Sequence, residues 1–386
     1  MITFMIVAFV VGYIFIALEH LLGINKATFA LLMSGILWAA YSLFTHDPNL
    51  SEELVVTLGD TCEIVVFLIG AMTIVELIDR YGGFNIIVRK IHASNKRGLM
   101  WVLALVAFFL SCILDNMTTT IIMVMMLRRM LANKKERWIF ACVIVIAANS
   151  GGAWSPIGDI TTIMLWMKNY VSSVDLILNL LIPSLVSVVI PTWIASHYVK
   201  NEPVEQLNTQ DQRIGYEMSI HHRNLSILIL ICGVAGLLFV PIFKSITHLP
   251  PFVGILLVLG VLWTVTELFY RSQGEEDEDG TQKRITKMLT RIDMGTILFF
   301  LGILMAVACL ETIGVLTMLG EGLNVAFDGN HYMVTGIIGV LSSIVDNVPL
   351  VAGCMGMYPV APTGDMAVDG IFWQLLAYCA GVGGSM

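Results

Sequence analysis

The sequence predicts an all-α integral membrane protein with inverted structural repeats, re-entrant helical hairpins and discontinuous transmembrane helices. Three observations predict this fold: an apolar composition, an apolar segment with basic residues at both ends, and an internal duplication. Of the 386 residues, 57% are apolar and 13% are charged, and the mean hydropathy is +0.83. A single soluble core of this size could not bury so much apolar surface. The apolar runs are continuous rather than alternating, which favours helices over a β-barrel.

We interpret nine apolar runs as membrane spans, the last of them incomplete, since a helix needs about 20 residues to cross the hydrocarbon layer. The first run lacks the basic start and the small-residue cleavage site of a signal peptide, so we interpret it as a retained span. The runs lie at about 2–18, 27–45, 57–78, 138–167, 176–198, 225–243, 251–270, 294–312 and 371 to the end.

A further apolar stretch, 99–127, has basic residues on both flanks. Under the positive-inside rule both flanks are cytoplasmic, so this stretch cannot be one simple crossing. A re-entrant hairpin satisfies the rule and places Asp115 and Asn116 of "LSCILDNMTTT" at its tip, near the middle of the membrane. The flanking residues are Arg80, Arg89, Lys90, Lys96 and Arg97 before the stretch, and Arg128, Arg129, Lys134, Lys135 and Arg137 after it.

The chain contains a second copy of this motif. "LSSIVDNVPLVAG" at 341–353 matches "LSCILDNMTTTII" at 110–122, and "FFLGILMAVACLETIGV" at 299–315 matches "FLIGAMTIVELIDRYGG" at 67–83. The separation along the chain is nearly the same for both pairs, which indicates a duplication.

The two copies are predicted to have opposite orientations. Five spans separate the two hairpins, and no Lys or Arg occurs at 313–370. The second hairpin, at 331–360, is therefore expected to enter from the side opposite to the first, with the N-terminus outside.

A discontinuous helix is predicted after the first hairpin. The run 138–167 is interrupted by Gly, Ser and Pro at 149–158. There Gly151 and Gly152 allow unusual backbone dihedrals, and the broken ends are expected to expose carbonyls and amides. The second repeat reads "AYCAGVGGSM" at the corresponding place, so the remainder of its broken helix is expected beyond Met386.

The chain accordingly divides into four parts. Residues 1–56 form N-terminal transmembrane helices, and residues 57–198 form the first repeat. Residues 199–293 form a linker with transmembrane helices and a cytoplasmic acidic loop at 271–293, which contributes to the net charge of -8. Residues 294–386 form the second, incomplete repeat. The sequence contains no basic face of the kind that binds nucleic acid.

Three motifs, "LDNMTTT", "NSGGAWSPIGDITT" and "VDNVPL", resemble those of the NhaD-type sodium/proton antiporters, within the larger ion transporter superfamily. The resemblance extends over nearly the whole chain. It implies a multi-pass protein of the bacterial inner membrane that exports sodium, and often lithium, in exchange for protons, without a cofactor, in pH and sodium homeostasis; it also suggests a homodimer. It further implies that ion binding and translocation involve Asp115, Asn116, Asn149, Asp159, Thr161 and Thr162, with Ser111 beside them, and Ser342, Asp346 and Asn347 in the second repeat.

These residue types suit a sodium site, because a sodium ion prefers several oxygen ligands of which at least one is anionic. A carboxylate buried at membrane depth can bind either a proton or a sodium ion, and competition for it would couple the two fluxes. Sodium is therefore expected at Asp115, Asp159 and Asp346. Two of them could form a coupled pair, either Asp115 with Asp346 or Asp115 with Asp159.

Simpler roles stay open at this point. The two hairpin aspartates could cap the returning helical arms, and the asparagines beside them could hold the broken backbone. The interruption at 149–158 could be a kink at Pro156. The two threonines after Asp159 could bond back to their own helix.

Other function classes fit the pattern less well. An anion or dicarboxylate transporter of the same superfamily is the main alternative, but we expect neutral hairpin tips there, whereas Asp-Asn tips add negative charge and favour a cation. An intramembrane hydrolase needs a nucleophile and a base within reach, and no histidine is expected at membrane depth opposite Ser111 or Ser385. A single-file channel would not need two inverted broken-helix sites.

Overall fold

The structure is a computed structural model, and it describes residues 1–84, 86, 91, 93–131, 133–203, 220–272 and 292–385, without the side chains of residue 129, 220–224 and 269–272. Within these residues the chain is helical, with no β-strand and with two isolated β-bridges, Asn95 with Pro203 and Ala361 with Ala367. The all-α prediction is therefore confirmed.

Sixteen helices are defined in this part of the chain. They are α1 (Ile2–Ala17), α2 (Glu19–Leu22), α3 (Lys26–Thr45), α4 (Leu50–Arg80), α5 (Lys96–Ser111), α6 (Asn116–Met130), α7 (Lys134–Ala153), α8 (Ile160–Met167), α9 (Ser173–Tyr198), α10 (Ile220–Thr247), α11 (Pro251–Ser272), α12 (Met294–Thr312), α13 (Val315–Ala326), α14 (His331–Ser342), α15 (Asn347–Met357) and α16 (Ile371–Gly383).

Among the described residues, six helices are long and apolar enough to cross a membrane by length and composition. Large apolar side chains on these helices are exposed, for example Leu43 at 72% and Ile182 at 69%, as lipid contact requires. The protein is therefore a multi-pass membrane protein. The six segments are Lys26–Thr45, Leu50–Arg80, Ser173–Tyr198, Leu225–Thr247, Pro251–Leu268 and Met294–Thr312.

Two pairs of short helices cover the stretches predicted as hairpins. In the first pair, α5 and α6 are separated by residues 112–115, and the Asp115 side chain accepts a hydrogen bond from the Thr118 amide at the start of α6. In the second pair, α14 and α15 are separated by residues 343–346, and Asp346 caps α15 through the Val348 amide. Both apolar stretches are thus divided at an aspartate.

We call the two predicted repeats, 57–198 and 294–386, the first and the second half. The broken helix of the first half is interrupted later than the sequence predicts. The helix α7 continues to Ala153, so Gly151 and Gly152 are helical, and the interruption covers residues 154–159. The two glycines do not use the unusual dihedrals that they allow, since neither has a positive φ. Their missing side chains serve close packing instead: a Cβ on Gly151 would overlap the carbonyl oxygen of Phe108 on α5.

The second half has the matching contact. A Cβ on Gly383, at the end of α16, would overlap the carbonyl oxygen of Gly339 on α14. When the two copies are aligned, Gly383 is the counterpart of Gly151 and Gly339 is the counterpart of Phe108. In each half, a glycine of the helix after the hairpin therefore lies directly on the backbone of the hairpin's first arm.

The helix that precedes each half packs against the other half. The helix α3 packs on α12, where a Cβ on Gly302 would lie 2.7 Å from the carbonyl carbon of Ala30. The helix α11 packs on α4, where a Cβ on Gly70 would lie 3.0 Å from the Ile255 side chain. Gly70 and Gly302 are aligned in the duplicated sequence, so the two contacts correspond to each other.

Some sequence predictions fall outside the described residues. They are the acidic segment of the predicted loop at 271–293 and the basic residues Arg89 and Lys90.

Candidate ion-binding site

Each of the three predicted aspartates caps the N-terminus of a helix. Asp115 accepts hydrogen bonds from the Thr118 amide at 2.7 Å and from the Thr118 hydroxyl at 2.5 Å. Asp159 accepts from the Thr161 amide at 3.1 Å, and Asp346 accepts from the Val348 amide at 3.2 Å. The partial positive charge of a helix N-terminus favours carboxylates there. The capping role is therefore present, and it leaves one oxygen of Asp159 and one of Asp346 for other partners.

Asp159 is the most enclosed of the three carboxylates and lies where the two halves meet. It is 2% exposed. Its Oδ2 atom is 3.4 Å from the Nδ2 atom of Asn347, at the second hairpin tip. The carboxylates of Asp115 and Asp346 both repel that of Asp159. Three negatively charged side chains from both halves thus act on one another at this point.

A glycine on α16 makes room for Asp159. A Cβ on Gly381 would lie 3.2 Å from Asp159 Oδ2 and 3.1 Å from the Cβ of Ala153. The alignment of the two copies pairs Gly381 with Asn149, so this glycine occupies the corresponding position of the second half. The carboxylate lies in space that a side chain at 381 would otherwise fill. The duplication in the sequence contains this signal, although Gly381 was not among the predicted site residues.

The two hairpin asparagines have different partners. Asn116 donates from Nδ2 to Asn149 Oδ1 at 2.7 Å, within the first half. Because Gly381 replaces an asparagine at the matching position, Asn347 has no such amide to bind and points to Asp159 of the other half instead. Asn347 therefore connects the second hairpin to the first broken helix.

Polar contacts hold the first hairpin tip against the interruption of the broken helix. Ser155 donates from Oγ to the carbonyl oxygen of Cys112 at 2.5 Å. Trp154 stacks on Phe108, with ring centroids 5.8 Å apart and an interplanar angle of 23°. The position of Asp115 is thus fixed relative to the start of the second half-helix.

The predicted hydroxyl ligands divide into two groups. Thr162 donates to the carbonyl oxygen of Asp159 at 2.8 Å, and Ser342 donates to that of Ala380 at 2.7 Å. Ser111 and Thr161 are buried, and their hydroxyls have no hydrogen-bond partner within the described residues. A buried hydroxyl without a partner costs free energy, so these two oxygens are available to a ligand.

Asp346 differs from Asp115 by forming an ion pair. Its Oδ2 atom is 2.9 Å from the Nζ atom of Lys26, the first residue of α3. The Lys26 ammonium also lies 4.1 Å from the ring centroid of Phe299. Lys26 is absent from the sequence predictions, although it is the only Lys or Arg before Arg80, and an isolated cation at a span end is a signal in itself.

Within the described residues, no three His, Cys, Asp or Glu side chains are grouped closely enough to hold one metal ion. The hydrogen-bond partners of Asp159 in this part of the chain are instead the Asn347 amide, the Thr161 backbone amide and the Thr162 hydroxyl, the last of these at the carbonyl oxygen of Asp159.

Comparison with known proteins identifies relatives over the full length. The family model described as a citrate transporter, CitMHS, matches residues 2–383. Sodium/proton antiporter 2 of Arabidopsis thaliana is 40% identical over 382 residues, which cover 99% of this chain and 88% of that protein. Sodium/proton antiporter 1 of the same plant is also 40% identical, over 99% of this chain and 64% of its own length.

A bacterial relative is less similar in sequence but matches the same share of this chain. The Na+/H+ antiporter NhaD of Alkalimonas amylolytica is 29% identical over 411 residues, which cover 99% of this chain and 80% of that protein. The resemblance to NhaD-type antiporters is thereby confirmed.

Proposed function

This chain belongs to the citrate transporter family CitMHS, and from that premise we propose that it is a secondary transporter that exchanges sodium ions for protons. The named sodium/proton antiporters among its relatives support this exchange over transport of citrate. A transporter of this kind needs no resident cofactor, since sodium and protons are its substrates.

The buried carboxylate of Asp159 carries the proposal. An ionised carboxylate without a paired cation in such a place costs on the order of several kcal/mol. Asp159 is 2% exposed, and the described residues place no ammonium or guanidinium group within ion-pair distance of it. It is therefore most stable when it holds a proton or a sodium ion, and the carboxylate of Asp115, which has no ion pair within the described residues, strengthens this demand for positive charge.

Neutral oxygens complete the proposed sodium site. The Thr161 hydroxyl forms no hydrogen bond in the described part of the chain. The Asn347 amide lies beside Asp159, and Asn149 binds Asn116 at the first hairpin tip. An amide oxygen, a hydroxyl and a carboxylate suit a hard cation such as sodium. Asp115 and Asn116 at the first hairpin tip, with Ser111 behind them, belong to the same proposed region.

Competition for one carboxylate gives the coupling. When the site faces the cytoplasm, loss of the proton from Asp159 lets sodium bind. When the site faces outward, sodium leaves and a proton takes its place for the return. The empty, ionised site is the state that burial disfavours, so the protein changes orientation with either cation bound and the two fluxes remain linked.

Everted membrane vesicles test this function. An imposed pH gradient is monitored with a fluorescent dye while sodium, lithium, potassium or citrate is added. We expect sodium to dissipate the gradient, Asp159→Asn to abolish the response, and Asp175→Asn, which changes a helix start outside the site, to retain it. Uptake of citrate with no response to sodium would support the anion transporter instead.

We propose a cell-membrane location in a bacterium, supported by the bacterial NhaD relatives; the relatives from Arabidopsis show that such proteins also occur in plants. Membrane fractionation tests it. A homodimer stays a prediction from the resemblance, and the mass of the detergent-solubilised protein measures it.

A further inference from the structure

We propose that Lys26 is a built-in cation for the second hairpin tip, so that Asp346 binds the lysine ammonium instead of a transported ion and the chain binds one sodium ion rather than two. This inference rests on the proposed function, since it concerns the number of ions that the transporter carries. It also assigns different tasks to two aspartates that the duplicated sequence makes equivalent.

The contacts of Lys26 resemble those of a bound cation. Its ammonium is 2.9 Å from Asp346 Oδ2 and 4.1 Å from the ring centroid of Phe299, and both a carboxylate and an aromatic face attract positive charge. Asp293, which caps α12, interacts with the same ammonium at longer range.

The first half has no counterpart of this lysine. The helices α3 and α11 correspond through their contacts with Gly302 and Gly70, where Ala30 matches Ile255. One helical turn before these two residues lie Lys26 and Pro251, the first residues of the two helices. A proline cannot supply a cation. No ion pair with Asp115 is found within the described residues.

The two aligned copies also differ three residues after the aspartate. Asp115 receives a hydroxyl hydrogen bond from Thr118, whereas Pro349 occupies the matching position after Asp346. Proline provides neither a hydroxyl nor an amide hydrogen. In the first half, Asp115 therefore has the Thr118 hydroxyl and no ion pair within the described residues. In the second half, Asp346 has no such hydroxyl and forms an ion pair with Lys26.

A tethered ammonium competes well with free sodium. Because Lys26 belongs to the same chain, its effective concentration at Asp346 is that of an intramolecular partner, of millimolar order or higher. The side chains are 30% and 24% exposed, so the protein does not enclose either group completely. Removal of the lysine should open Asp346 to a second sodium ion.

Sodium binding to the purified full chain, measured with radioactive sodium at saturation, tests the inference. We expect one ion per chain for the wild type and for Lys26→Arg, and two for Lys26→Gln. The double variant with Lys26→Gln and Asp346→Asn should return to one ion. Lys168→Gln is the matched control, because Lys168 forms an ion pair with Asp60 at 3.1 Å away from the tip, and it should retain one.

Several outcomes would overturn the inference. The inference would be wrong if the wild type bound two sodium ions per chain. It would also be wrong if Lys26→Gln folded and bound only one. If Lys26→Gln does not fold, Asp346→Asn decides, because Asn retains the helix cap: it should still bind one sodium ion, and loss of that ion would contradict the inference. No sodium binding by the wild type would instead refute the proposed function on which the inference depends.

Discussion

Asp159 and Gly381 face each other across the boundary between the two halves, so closely that a Cβ on the glycine would lie 3.2 Å from Asp159 Oδ2. Gly381→Ala should therefore displace the carboxylate and weaken sodium binding by about tenfold, equivalent to about 1.4 kcal/mol. The sodium concentration for half-maximal exchange measures this. Gly336→Ala is the control, because a Cβ there meets open space, and an equal effect of both changes would argue against a specific role.

Replacement of Thr161 should affect thermal stability and sodium binding differently. Thr161→Val removes a buried hydroxyl that has no partner of good hydrogen-bond geometry within the described residues but lies next to the Asp159 carboxylate, so the thermal stability should change little. If the hydroxyl is a sodium ligand, the half-maximal sodium concentration should rise about tenfold. Thr161→Ser should restore it. A stable variant with unaltered sodium dependence would remove Thr161 from the proposed site.

Replacement of the neighbouring Thr162 should instead lower the stability of the protein. Its hydroxyl donates to the carbonyl oxygen of Asp159, and Thr162→Val should cost about 1 kcal/mol of stability. Thermal unfolding in detergent would measure this loss, and Thr162→Ser should reverse it.

Gly151 is expected to be intolerant of any side chain. A Cβ there would overlap the carbonyl oxygen of Phe108, and overpacking of this kind costs about 1–3 kcal/mol or more. Gly151→Ala should lower the unfolding temperature, and Gly383→Ala, which makes the corresponding contact in the second half, should do the same. Gly35→Ala meets open space and should not. A Gly151→Ala variant as stable as the wild type would contradict the close packing.

An ion-pair cluster at the start of the first hairpin predicts a pH effect on stability. The Lys96 ammonium lies 2.9 Å from Glu136 and 3.0 Å from Glu202, and its hydrogen bond lowers the pKa of the Glu202 carboxyl from 4.5. A lowered folded-state pKa contributes stability above the unfolded-state pKa, and this contribution is lost as pH falls through the folded-state value.

Glu202→Gln should therefore lower the unfolding temperature at pH 7, and the difference from the wild type should close as the pH falls below about 4. Glu52→Gln, at an exposed position, should give little difference at either pH. A constant difference between Glu202→Gln and the wild type across this range would exclude the ionic explanation.

Much of the architecture could be predicted because it depends on local patterns. Long apolar runs predict membrane helices, and an aspartate that interrupts such a run predicts a helix start, as at Asp115 and Asp346. The glycines are harder to interpret. Gly151 and Gly152 allow unusual dihedrals, but Gly151 instead lets α7 approach α5 and Gly152 leaves room for the backbone of Gly158. Only the three-dimensional packing reveals which of these uses a glycine serves.

The asymmetry of the site could not be predicted, because the duplicated motifs suggest equal roles for equal residues. Lys26 lies 320 positions from Asp346, outside either motif, and its approach depends on the packing of α3 against α12. Gly381 could be found by extending the duplication through α16, since it takes the place of Asn149. Its consequence for Asp159 depends on contacts between the two halves, which no local pattern contains.

Each half packs against the helix that precedes the other half, and this arrangement has a mechanical consequence. Because α3 lies on α12 and α11 lies on α4, the arrangement is that of a domain-swapped dimer whose two protomers are joined in one chain. Unfolding of one half would remove a packing surface from the other, so the two should unfold together. The contacts of Gly302 with Ala30 and of Gly70 with Ile255 therefore attach each half to the helix that precedes the other.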